Sequence, residues 1–189
     1  MIARTFTVMI VISALTAEAD HLMLKRLRIN EKAAVVAEIQ LAADGPSLEL
    51  YWKKDDGTAL QTFEALRSWL DGKNKKLLFA ANAGIYRDSP SLAPIGLHVE
   101  HGHKLVGLSF AKNCGNFCWY SGIFAIKDGR ALILPREDAS GIDFGNSRLA
   151  LQSGPLFMRS GALQGSWSRS SYNLNRSAIC TTDQSSTAL

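Results

Sequence analysis

The sequence predicts an α+β fold, mostly antiparallel sheet, with one amphipathic helix packed on it. Three observations carry this. Short segments that alternate apolar and polar residues, or run apolar throughout, recur from Leu22 onward between glycine-bearing turns. Two of those turns, His101-Gly102-His103 and Asp128-Gly129, separate strand-like runs so closely that each pair folds back as a hairpin. One stretch, Leu60 to Leu70, instead repeats its apolar residues at three-to-four spacing.

Taken in order, Leu22 to Asn30 alternates basic and apolar residues, and Val35, Ala37, Ile39 and Leu41 fall on one side of a second strand. Ala33 to Ala43 is also rich in Ala, Glu and Gln, which favour helix, so both readings stand for that segment. Asp44-Gly45-Pro46 is a turn and Leu48 to Trp52 a short strand. Asp55-Asp56-Gly57-Thr58 opens the helix, Leu60, Phe63, Leu66, Trp69 and Leu70 form its buried face, and Asp71-Gly72 ends it. Lys75 to Ala81 then runs from a basic turn into an apolar strand that delivers the chain to Asn82. Leu97 to Glu100 pairs with Lys104 to Phe110, and Gly122 to Lys127 with Ala131 to Leu134. Arg148 to Gln152 and Pro155 to Arg159 read as short strands around Ser153-Gly154, with Ser160-Gly161 as the next turn. From Gln164 onward Ser, Asn and Arg dominate, and the chain is expected to stop before its last core strands.

A length of 189 residues suits one domain with a sizeable core and is short for two. A net charge of +4 is mild, and the cationic residues are scattered apart from groups such as Lys73 to Lys76, so nothing marks a nucleic-acid partner. The amino terminus is more informative. A positive start at Arg4, an apolar run from Phe6 to Leu15, and the small-x-small site Ala17-Glu18-Ala19 read as a signal peptide over residues 1–19, which leaves 20–189 as the mature domain. The apolar run is well short of the ~20 residues a spanning helix needs. A secreted or periplasmic protein with no stable membrane span is therefore expected.

In that compartment the three cysteines permit one disulfide: Cys114 and Cys118 are four apart, and Cys180 stands alone. Small buried thiols are the equal alternative. His98, His101 and His103 are spaced to share a hairpin, but a solvated turn is the preferred reading and no metal or other cofactor is expected. No G-x-x-x-x-G-K-S/T loop, G-x-S-x-G elbow or H-E-x-x-H pair occurs. What remains is three clusters that combine a side-chain amide with glycine: Asn82-Ala83-Gly84, Gly115-Asn116-Phe117 and Gln152-Ser153-Gly154-Pro155. Glycine lets a ligand approach the backbone, and the amides offer neutral donors to sugar hydroxyls or phosphate oxygens.

These clusters, in this order, resemble the phosphodiester glycosidase family, the group of the lysosomal uncovering enzyme and many bacterial exported proteins. Phe79 to Tyr86 resembles the family's F-A-x-N-A/G-G-M/I-Y/F element, and Pro94-Ile95-Gly96-Leu97 its P-x-G-L. Gly115-Asn116-Phe117 followed by Gly122-Ile123-Phe124 resembles its G-N-F and N-G-V-F. Leu151 to Pro155 resembles its Q-S-G-P, and Arg176-Ser177-Ala178-Ile179 its R-T/S-A-V/I-G. Two departures stand beside these matches. Cys180 occupies the last glycine of that motif, and the family's carboxy-terminal Asp-Gly-Gly is absent from the sequence.

The resemblance implies hydrolysis of a sugar-1-phosphodiester at the C1–O bond, with a carbohydrate or sugar-phosphate as partner. Breaking an anomeric bond builds oxocarbenium character on the sugar while charge accumulates on the departing phosphate. Fixed donors around the phosphate then matter most, and arginine, with its planar charged fork, is the best single donor. Arg176 is the first choice and Arg148 the second. Asn82, Gly84, Asn116, Gln152, Ser153 and Gly154 are expected to bind substrate. The carboxylate that such hydrolysis needs comes from Asp88, Glu100, Asp138 or Asp143, with Asp143 paired with Arg176 as the catalytic expectation. A non-catalytic glycan- or phosphate-binding envelope protein on the same scaffold is the alternative.

Overall fold

In the hairpins the turn residues dictate the pairing. His101-Gly102, Asp128-Gly129 and Ser160-Gly161 each place two consecutive residues at positive φ, the two-residue turn whose twist matches that of the strands on either side. The structure, a computed structural model, describes residues 9–14, 21–29, 31–42, 47–87, 92–111, 121–164, 177–181 and 187–188. Around these turns β6 (His98–Glu100) pairs with β7 (His103–Val106), β8 (Gly122–Lys127) with β9 (Arg130–Pro135), and β11 (Met158–Arg159) with β12 (Ala162–Leu163). The expected strand over Pro155 to Arg159 is thus only its last two residues, paired forward across Ser160-Gly161.

Strand β10 (Leu149–Ser153) inserts between two of these hairpins, giving a five-stranded antiparallel sheet in the order β7-β6-β10-β8-β9. A second sheet consists of β4 (Ser47–Tyr51), β1 (Met9–Ala14) and β5 (Lys76–Asn82), with β1 central and antiparallel to both neighbours. The segment read as a signal peptide therefore contributes, in the full chain, the middle strand of a sheet. A long hairpin of β2 (Leu22–Ile29) and β3 (Lys32–Gln40) completes the framework, with β13 (Thr187–Ala188) along β3. Residues 33–40 are strand throughout, so cross-strand pairing overrides the helical propensity of their Ala, Glu and Gln.

The only helix among the described residues, α1 (Phe63–Asp71), begins later than the sequence predicts. Its N-cap is Thr62, whose hydroxyl accepts from the Ala65 N–H at 3.1 Å. The predicted opening is a separate turn in which the Asp56 carboxylate accepts from the Thr58 N–H at 2.8 Å. Leu60, Leu66 and Leu70 nevertheless form one buried cluster with Tyr51, joined by Phe63 and Trp69, so the apolar face is as expected although Leu60 precedes the helix.

Period-two alternation then assigns the strands to cores. Leu48 and Leu50 of β4 pack with Phe124, Ile126, Leu149 and Leu151 between the sheets. Ile123, Ala125 and Ala150 point the other way, into a core with Val99, Leu97, Ala139 and Phe144. Both faces of β8 and β10 are consequently buried, and their carboxy- and amino-terminal ends are what the sheet can offer a ligand. The α+β class, mostly antiparallel with a single helix, is as the sequence predicts.

Candidate functional site

Strand β5 ends at Asn82, after which the chain turns through Gly84 at φ +67. Glycine adopts that backbone at the least cost, and a Cβ here would make only ordinary contact, 3.7 Å from the Gln152 carbonyl oxygen. The turn thus sets the β5 corner against the end of β10. On the corner itself the Asn82 side-chain oxygen accepts a hydrogen bond from the Ser177 hydroxyl at 2.7 Å. Residues from three separated motifs, those of Asn82-Ala83-Gly84, Gln152-Ser153-Gly154 and Arg176-Ser177, are therefore brought together. A neck closes the adjoining loop: the Arg87 N–H donates to the Ala93 carbonyl and the Ile95 N–H to the Ile85 carbonyl, each at 2.8 Å.

Gln152 does not present its side chain to that corner. It is 1% exposed, and its side-chain oxygen accepts from the backbone N–H groups of Leu97 at 3.2 Å and Ser109 at 2.9 Å. Its amide nitrogen donates to the Ser109 carbonyl at 2.8 Å and the Ser121 hydroxyl at 3.2 Å. Both donors and both acceptor positions are used within the protein. The expectation that Gln152 binds substrate is corrected: it ties β10 to the segments at Leu97, Ser109 and Ser121. Ser153 and Gly154, half-buried at the strand end, remain at the corner.

Asp143, expected to be catalytic, lies away from that corner. Its carboxylate accepts from the Gly145 N–H at 2.8 Å and its carbonyl from the Lys127 ammonium at 3.1 Å. Both contacts belong to the turn before β10, whereas Ser153 lies at the far end of that strand, roughly 13 Å along it. Arg148 and Glu100 sit at this same remote end. Asp138 is placed differently: its N–H donates to the carbonyl of Pro135, which pairs with Gly122, the partner of Ser153. Its carboxylate binds the Arg159 guanidinium at 2.6 Å. Asp138 is therefore at the Ser153 end of the sheet. Asp88, Asn116 and Arg176 lie outside the described residues, as does the Cys114–Cys118 pairing. Cys180 is a free thiol whose pKa is raised by burial.

The histidines do not form a ligand set. His98 is 1% exposed and its ring lies 2.7 Å from the Glu100 carboxylate, so this histidine is part of the interior and not of a solvated turn. His101, in the turn, packs its ring on Tyr51 at 5.4 Å between centroids.

One polar constellation was not anticipated from the sequence. Glu49, alone among Leu48, Leu50 and Tyr51 in the buried part of β4, accepts from the Tyr51 hydroxyl, from the Ser47 hydroxyl at 3.0 Å and from the Lys75 ammonium at 3.2 Å. The Arg148 guanidinium approaches to 3.8 Å. Burial by itself pushes the Glu49 carboxyl up, but the Tyr51 hydrogen bond and the Lys75 charge outweigh it and hold the group below the ordinary carboxylate value. Burial and the same carboxylate push the Tyr51 phenol well above its usual value. A single acid inside an apolar strand is the one sequence signal that marks this cluster.

Fold and site together define an antiparallel α+β chain with an amide-, hydroxyl- and glycine-bearing corner where β5 and β10 end. The chain is similar to the uncharacterized protein YigE of Escherichia coli K12, 34% identical over 119 residues that cover 61% of this chain and 44% of the relative. It thus spans less than half the length of that relative. No family model matches the chain, and no solved structure does. The motif resemblance to phosphodiester glycosidases receives no support from these comparisons. Among the described residues, no helix is long and apolar enough to cross a membrane.

Proposed function

We propose that the chain is an exported phosphodiester glycosidase-like protein that holds a sugar-1-phosphodiester at the β5–β10 corner and hydrolyses its C1–O bond in envelope or exopolysaccharide metabolism. The observation that carries the reading is the contact between Asn82 and Ser177 beside Gly84, which joins motifs 95 residues apart in the sequence. In this reading Asn82 and the Ser153-Gly154 backbone orient the sugar, and Arg176, adjacent in sequence to Ser177, neutralises the departing phosphate. Asp138, a carboxylate at that end of the five-stranded sheet, takes the role of base toward water in place of Asp143.

Incubating the protein with a nucleotide sugar and measuring free sugar tests the assignment. Turnover by the wild type, lost in Arg176→Ala and reduced ~10²-fold or more in Asp138→Asn, is the expected result. No release by the wild type, or full activity in Arg176→Ala, overturns it. The second reading, a glycan- or phosphate-binding protein without turnover, is favoured by one observation: the Asn82 and Ser177 side chains that meet at the corner are both neutral hydrogen-bonding groups. Saturable binding of the same nucleotide sugar with no sugar released would select it.

A further inference from the structure

Among the described residues, the β2–β3 hairpin packs into the core at its base. There Leu22, Ala37 and Ile39 pack into the core between the sheets, and Ile39 is buried. Beyond that anchor the strands carry five exposed large apolar side chains, Met23, Leu24, Leu27, Ile29 and Val35. The register sorts them by face. Met23, Leu27 and Ile29 alternate with Lys25 along one side of β2, while Leu24 shares the opposite side with Arg26, Arg28 and, across the pair, Val35. Lys25, Arg26, Arg28 and Lys32 outnumber the acids Glu31 and Glu38, and Glu38 is bound to Lys25 at 2.9 Å.

Met23, Leu27 and Ile29 form an apolar row on one side of β2, and contiguous exposed apolar surface marks an interaction site. A protein docked flat on the hairpin would cover one face and leave the other in water. A lipid headgroup region surrounds an inserted hairpin on both faces, takes up apolar side chains at the acyl boundary and meets the flanking cations with phosphate. We infer that the β2–β3 hairpin is a membrane-docking element for an anionic lipid surface. It enters with Met23, Leu24, Leu27 and Ile29, and Arg26 and Arg28 lie at the phosphate level. The inference is independent of the reaction proposed above, because it rests on the exposed side chains of β2 and β3 and uses none of the corner's residues.

Flotation of the full-length chain with vesicles tests this, using phosphatidylcholine alone and phosphatidylcholine mixed with phosphatidylglycerol. Binding to the anionic vesicles only, weakened by salt, is expected. Arg26→Glu with Arg28→Glu should lower it on the order of tenfold or more, and Leu27→Ser with Ile29→Ser should do the same, with the thermal unfolding midpoint unchanged in the charge variant. Absence of binding, or equal binding to both vesicles, overturns the inference. So does anionic binding indifferent to both hairpin variants, which would assign it to the apolar run Phe6 to Leu15. A dimer in sedimentation equilibrium that Leu27→Ser dissociates also overturns it, since the hairpin would then be covered by a second copy through the open edge of β2.

Discussion

Glu49 is held by three hydrogen-bond donors and flanked by Arg148, so its charge is matched although little water reaches it. Because its folded pKa lies below the ordinary value, it contributes stability that is fully present above the unfolded carboxylate pKa and is lost as pH falls through the folded one. Glu49→Gln should therefore cost about 1–3 kcal/mol at neutral pH, and the gap from wild type should narrow on acidification below about pH 4.5, measured by urea unfolding across pH. Gln152 makes the matching point for a neutral group. Gln152→Ala leaves the N–H groups of Leu97 and Ser109 without their acceptor and should destabilise by about 2–4 kcal/mol in the same assay. The sequence marks Gln152 as special through the glycine and proline beside it. It does not tell whether the amide faces a ligand or the interior, because Leu97, Ser109 and Ser121 are 31 to 55 residues away.

For the secondary-structure elements, legibility follows how local the determining contacts are. The hairpins at His101-Gly102 and Asp128-Gly129 are readable because two adjacent positive-φ residues fix each turn. The helix was readable by its face and not by its start. Asp56 and Thr62 are both good capping types, and only the local turn at Thr58 shows that Asp56 is spent before the helix begins. Residues 33–40 could be helix by propensity, and their pairing with β2 decides otherwise. Pro155 to Arg159 failed as a full strand because its last two residues find their partner in Ala162–Leu163 and not in β10.

At the scale of the whole molecule the order of strands was the illegible part. Nothing local places β10 between β6 and β8, or β1 between β4 and β5, since each placement joins segments distant in sequence. The sequence-named candidates Asp138 and Asp143 show the same limit: they are five residues apart, yet Asp138 follows Pro135 at one end of the sheet and Asp143 lies by Lys127 at the other. The position of β1 yields a whole-molecule prediction. Starting the chain at Asp20 removes the strand that both β4 and β5 use, so hydrogen exchange should accelerate across Leu48–Tyr51 and Leu78–Asn82, while β8 and β10 keep their protection. Unchanged exchange in β4 and β5 would show that they close onto each other without it.

The same six residues, Met9–Ala14, complete a sheet in the folded chain and, under the proposed export, would form the heart of a leader. They cannot do both at once. On that proposal, a nascent chain that had drawn them between β4 and β5 would have withdrawn its address from the export machinery, and folding and secretion would run as a race for one segment. Speed of translocation, and any chaperone that delays closure of β4 on β5, would then decide how much protein leaves the cell.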